Sequence, residues 1–146
     1  MNTEQAIPDA AELAAYHEVC AYTLTRGDAA FVHQLVVDAW AAQHASPASK
    51  PIGVFFALLG LYLHVEHGFT GRAVQKAHMK LAQRPEPWPV GPLPTSRGAV
   101  TATDVLAAPP GPARDAAISR WAASVWAPYA YQRETIDALL RRRGVL

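Results

Sequence analysis

Apolar side chains recur every three to four residues along most of this chain, the spacing of helices that each turn one side to a core. Leu13, Tyr16, His17, Cys20 and Leu24 predict a first helix from about Asp9 to Thr25, stopped by Arg26-Gly27-Asp28. Asp28 suits the N-cap of a second helix, whose stripe is Val32, Leu35, Val36, Ala39 and Trp40. After the loop Ala45 to Lys50, Pro51 suits a first helical turn, and Gly68 ends a third helix just past His67. That helix is apolar nearly all round and is expected at the centre. Thr70 or Gly71 opens a fourth, with Val74, Ala77, His78 and Leu81 on one face.

The periodicity then lapses. From Arg84 to Gly98 five prolines alternate with Glu86, Trp88 and Gly91, predicting an extended strap pinned by Trp88. Thr101-Ala102-Thr103-Asp104 reads as a capping box with Asp in place of Glu, opening a short helix through Ala107. Pro109-Pro110-Gly111-Pro112 breaks the chain again. Ile118, Trp121 and Val125, then Ile136, Leu139 and Leu140, mark a last helical region that Pro128 should split or kink. No repeat and no alternating strand pattern with hairpin turns is present, so the expected fold is all-α. It is a compact bundle of about five or six helices with a proline-rich connecting segment over residues 84–100, in one domain spanning 1–146.

Composition narrows the function classes. Hydrophobic residues make up 51% and charged residues only 17%, enough to fold and sparse for a monomer's surface, so a homodimer is expected. A formal net charge of +1 supplies no broad field for phosphate backbones or anionic lipid, which disfavours nucleic acid and membrane as partners. The run Ile52 to Val65 is shorter than the roughly twenty residues of a bilayer span. Met1 to Leu13 lacks an apolar signal core and Cys20 has no partner for a disulfide, so a cytoplasmic location is expected.

No phosphate loop, dinucleotide glycine fingerprint, nucleophile elbow or paired-histidine protease helix is found. The remaining candidates for chemistry are histidines and the thiol. His17 and Cys20 lie three apart on the predicted inner stripe, His33 borders the stripe of the second helix, and His64 continues the line Gly53, Ala57, Gly60. Small side chains on that line leave room for a close neighbour or a ligand. Together His17, Cys20, His33 and His64 form a candidate set for zinc or iron, with Asp38 or Glu66 positioned to orient an imidazole. The competing reading makes them hydrogen-bonded core histidines, an inert thiol and solvated carboxylates. His67 suits the end of the third helix, His44 and His78 are weaker candidates, and Trp40, Trp121 and Trp126 read as packing residues. Arg141-Arg142-Arg143 reads as a helix end that complements the dipole.

Four segments carry a resemblance: Tyr16-His17 with Cys20, His33-Gln34-Leu35-Val36-Val37-Asp38-Ala39-Trp40, Leu61 to Gly68, and Trp121 to Trp126. The chain from Ala11 to Trp126 resembles a bacterial family of small proteins of unknown function. The resemblance implies that the cysteine and the histidine-glutamine segment recur, but it brings no established activity. Some of those relatives carry a CxxC pair ahead of the Tyr-His step, and this chain has none. Two classes stay open: a metal-binding helical bundle, acting as a hydrolase or oxygen-handling enzyme, and a non-catalytic accessory or protein-interaction module.

Overall fold

The computed structural model describes residues 9–146; the leading part of the Met1 to Leu13 segment lies outside them. Seven α-helices follow in chain order: α1 Ala10–Leu24, α2 His33–Gln43, α3 Pro51–His67, α4 Gly71–Ala82, α5 Ala102–Ala107, α6 Pro112–Tyr129 and α7 Arg133–Arg142. No strand occurs among the described residues, as the periodicity predicts. The number exceeds five or six because the chain stays helical through Pro128, passes through the 3-10 turn Ala130–Gln132, and restarts as α7.

One continuous core draws on all seven helices. α3 forms its axis: Phe55, Leu58, Leu59, Leu61 and Leu63 are all fully enclosed. α2 and α6 pack against it with Leu35, Val36, Ala39, Trp121, Val125 and Tyr129. The aromatic anchors are polar at one end and are satisfied there. The Trp121 indole donates to Gln43 Oε1 at 2.9 Å and the Tyr129 hydroxyl to the Ala42 carbonyl at 2.7 Å. No helix among the described residues is long and apolar enough to cross a membrane.

Two elements depart from the sequence reading. The inner face of α1 is Ala15, Val19 and Thr23, while Leu13 and Leu24 are 38% and 57% exposed. The large side chains on α1 are therefore a poor guide to its inner face, because small residues let α1 sit close to α2 and α5. The second departure is that α2 starts at His33, not next to Asp28. Asp28 instead closes a turn, accepting from the Ala30 and Val32 amides at 2.9 Å each, and Phe31 at φ 50 keeps the helix from starting earlier.

The remaining local signals match. Gly68 takes a left-handed conformation at φ 70, and the Phe69 amide reaches back to the Leu63 carbonyl at 3.0 Å to close α3. Trp88 pins the strap by stacking on Phe55 at 5.6 Å and meeting Phe56 edge-on at 5.2 Å, with the Arg143 guanidinium over its other side at 5.5 Å. Arg97 fastens the far end of the strap through the Ala42, Gln43 and Ala45 carbonyls. The capping box on α5 is formed as read, with Thr101 and Asp104 exchanging hydrogen bonds. Thr101→Ala should lower stability by about 1 kcal/mol in urea denaturation, the usual cost of an unmade cap.

Candidate functional site

The sequence-predicted ligands do not gather. His17 is exposed on α1, because the true inner face of that helix runs through Ala15 and Val19. Cys20 is half-buried and its thiol pairs with the Tyr16 hydroxyl one turn back; burial pushes both groups up from their usual values. His33 lies beside Thr23, with Nδ1 3.0 Å from Oγ1. The same hydroxyl is within hydrogen-bond distance of the Val19 and Cys20 carbonyls, at 3.2 and 3.0 Å. His64 donates from Nδ1 to the Phe69 carbonyl at 2.8 Å, and Nε2 faces Ser119 Oγ at 3.4 Å. Among the described residues no three His, Cys, Asp or Glu side chains are grouped to hold a metal ion.

The structure instead builds a polar centre where α2, α3 and α4 meet. Asp38 follows Leu35 by three residues and precedes Ala42 by four, which places it on the buried side of α2. Its side chain is 4% exposed. Gln34, one turn earlier, donates to Oδ1 at 3.1 Å, while Oδ2 has no hydrogen-bond partner. Gly60 supplies the space: a Cβ there would stand 2.0 Å from Oδ2 and 2.8 Å from Cγ. The gap in the small-residue line of α3 is thus filled by the carboxyl of a neighbouring helix. From α4, His78 brings Nε2 to 3.9 Å from Oδ2, and that nitrogen donates to the Phe56 carbonyl at 2.9 Å.

Burial sets the charges of this pair. Desolvation raises the Asp38 carboxyl well above the usual carboxylate range, outweighing the Gln34 hydrogen bond. The same effect pushes His78 down to about 4 and keeps it neutral. The centre sets a carboxyl that holds its proton more tightly than in water beside an imidazole that gives its proton up more readily, with Asp38 4% and His78 15% exposed. Asp38 was read from sequence as an orienting group or a surface carboxylate and His78 as a weak candidate. The signals that locate them are the i+3 and i+4 alignment of Asp38 with Leu35 and Ala42, and of His78 with Val74 and Leu81.

A second polar cluster closes the end of α3. The Tyr62 hydroxyl donates to Asp137 Oδ2 at 2.5 Å and accepts from His67 Nε2 at 2.9 Å, and Asp137 also holds Arg141 at 2.6 Å. Glu66 is an exposed carboxylate with fixed partners: it accepts Arg133 Nε at 2.6 and 2.8 Å and the Trp126 indole at 2.6 Å, which lowers its pKa. These contacts tie α3 to α6 and α7. His67 therefore serves a tyrosine at the helix end, and His44 packs on Trp40 with ring centres 3.9 Å apart.

No curated protein and no solved structure matches the chain. A family described only as one of unknown function does match, over residues 13–130, a stretch containing the Asp38 centre and all four segments of the resemblance. On that match the chain belongs to the family of unknown function DUF5946.

Proposed function

We propose that this protein is a non-catalytic accessory or protein-interaction module whose histidines serve helix packing. One observation carries the reading: the imidazoles are spent on separate local partners. His33 meets Thr23, His64 and His78 each donate to a backbone carbonyl, and His67 meets Tyr62. A catalytic carboxyl must reach its substrate within hydrogen-bond distance, and Asp38, 4% exposed, faces the Gly60 backbone of α3 while His78 spends Nε2 on the Phe56 carbonyl. Perturbed groups do gather at active sites, but sealed structural pairs are perturbed by the same desolvation.

The competing reading, a zinc or iron protein using His17, Cys20, His33 and His64, is separated from this one by elemental analysis of untagged protein. Substoichiometric transition metal, with weak zinc uptake that is no weaker in Cys20→Ser, is the expected result. Retention of about one equivalent, lost in Cys20→Ser or His33→Ala and kept in His44→Ala, would overturn the proposal.

A further inference from the structure

Where the ends of α4 and α7 meet the start of the strap, a hollow of about 360 Å³ is lined by Lys80, Gln83, Arg84, Arg142 and Arg143. Four of its five lining side chains are cationic, on a chain whose formal net charge is only +1. Part of this charge has an internal explanation. Lys80 donates to the Gly144 carbonyl at 2.8 Å, and Arg143 to those of Leu81 and Arg84 at 3.2 and 2.8 Å, so both complement carbonyl-rich helix ends. Glu86 is the single carboxylate paired here, bound by Arg142 at 2.7 Å and by Arg143 at 2.5 Å.

That accounting leaves a surplus. Arg84 forms no ion pair among the described residues, and one carboxylate faces four cations. Holding four like charges around one hollow costs repulsion that a bound anion relieves. Guanidinium forks match the paired oxygens of phosphate, and several cations favour a multiply charged group over a single carboxylate. The volume sits at the small end of ligand pockets, which run from roughly 300 to 1,000 Å³.

We propose that this hollow is a binding site for a small, soluble, multiply charged phosphate compound, with Arg84 and Lys80 as its principal contacts. The site is separate from the Asp38 centre and does not depend on the non-catalytic reading above. Inorganic pyrophosphate is the probe, titrated calorimetrically into the full chain. Saturable binding near one to one is expected, weakening as salt rises from about 50 to 200 mM. Arg84→Glu and Lys80→Glu should each reduce affinity about tenfold or more, while Arg120→Glu, on the exposed side of α6, leaves it unchanged. Arg84→Ala, with an unaltered thermal melt, checks that the loss is not unfolding. Absence of saturable heat at low salt overturns the proposal, as does an equal loss in Arg120→Glu, which would mark diffuse attraction. Binding to phosphatidic acid vesicles without binding to pyrophosphate also overturns it, because the ligand would then be a lipid surface.

Discussion

Gly71→Ala should destabilise the protein by about 3 kcal/mol or more, while Gly53→Ala should stabilise it by about 0.5 to 1 kcal/mol, although both glycines lie in the first turn of a helix. The opposite signs come from what each glycine faces. A Cβ on Gly71 would stand 1.9 Å from the Phe31 carbonyl oxygen and 2.7 Å from its carbon, against an ordinary carbon-to-oxygen contact of about 3.3 Å. The carbonyl has no slack to retreat. Its loop is held by Asp28 on the Ala30 and Val32 amides, by the Arg72 amide on the Ala30 carbonyl at 2.7 Å, and by the Arg72 guanidinium over the Phe31 ring. Phe31 already sits at φ 50, a conformation costing a non-glycine residue about 1 to 3 kcal/mol. Relief of the clash therefore breaks hydrogen bonds worth about 1 kcal/mol each or moves α4 off its seat. Around Gly53 nothing lies within 4 Å of the added methyl, so alanine there restores helix propensity at no steric cost. Urea midpoints of the two variants measured side by side decide the matter. A Gly71→Ala protein as stable as the native one would mean that the 30–32 loop is not docked on α4 as described.

Where a signal is local, the sequence was a faithful guide to this fold. Pro51 and Gly68 bound α3, Thr101 and Asp104 cap α5, and Pro128 precedes the break before α7, because each acts through its own backbone or that of near neighbours. The failures lie where tertiary packing chooses among nearly equivalent faces. On α1, Tyr16 and Cys20 do pack at the edge of the core, but its buried centre is Ala15, Val19 and Thr23 and Leu13 and Leu24 stay exposed, since a close helix neighbour selects small residues over large ones. That shift of phase leaves His17 exposed on α1. The Asp38 centre was half legible. Its alignment with Leu35 and Ala42 can be read from spacing, but that Gly60 and His78 complete it depends on how α3 and α4 cross α2, which no local pattern records.

Asp38 and His78 should give the stability of the protein a distinctive dependence on pH. Unfolded, the carboxyl titrates near its usual 3.8 and the imidazole near 6.5; folded, the first is raised well above that value and the second lowered to about 4. Stability rises with pH wherever the unfolded chain holds more protons and falls wherever the native protein does. Between about pH 4 and 6.5 the unfolded pair carries one proton, on His78, and the two contributions to the slope cancel wherever the native pair also carries one, on the raised Asp38 carboxyl. The cancellation does not depend on which partner holds the native proton, because only the total enters. Above about 6.5 the unfolded pair is bare, so any proton still on the raised native carboxyl is a surplus of the folded state. Stability should then fall by up to about 1.4 kcal/mol per pH unit until the native Asp38 titrates. Asp38→Asn removes this decline and leaves stability rising from about pH 4 to 6.5, then level. His78→Gln, which keeps a donor for the Phe56 carbonyl, should instead fall steadily from about pH 4 upward. His33 and His44, also lowered by burial, add the same rising background below 6.5 to all three proteins, so differences between them isolate the pair. Urea unfolding at about pH 4.5, 6.5 and 8.5 measures the three profiles. Parallel curves for the native protein and Asp38→Asn above 6.5 would show that Asp38 is ionised there in the fold, and a carboxyl raised past that pH would have to be abandoned.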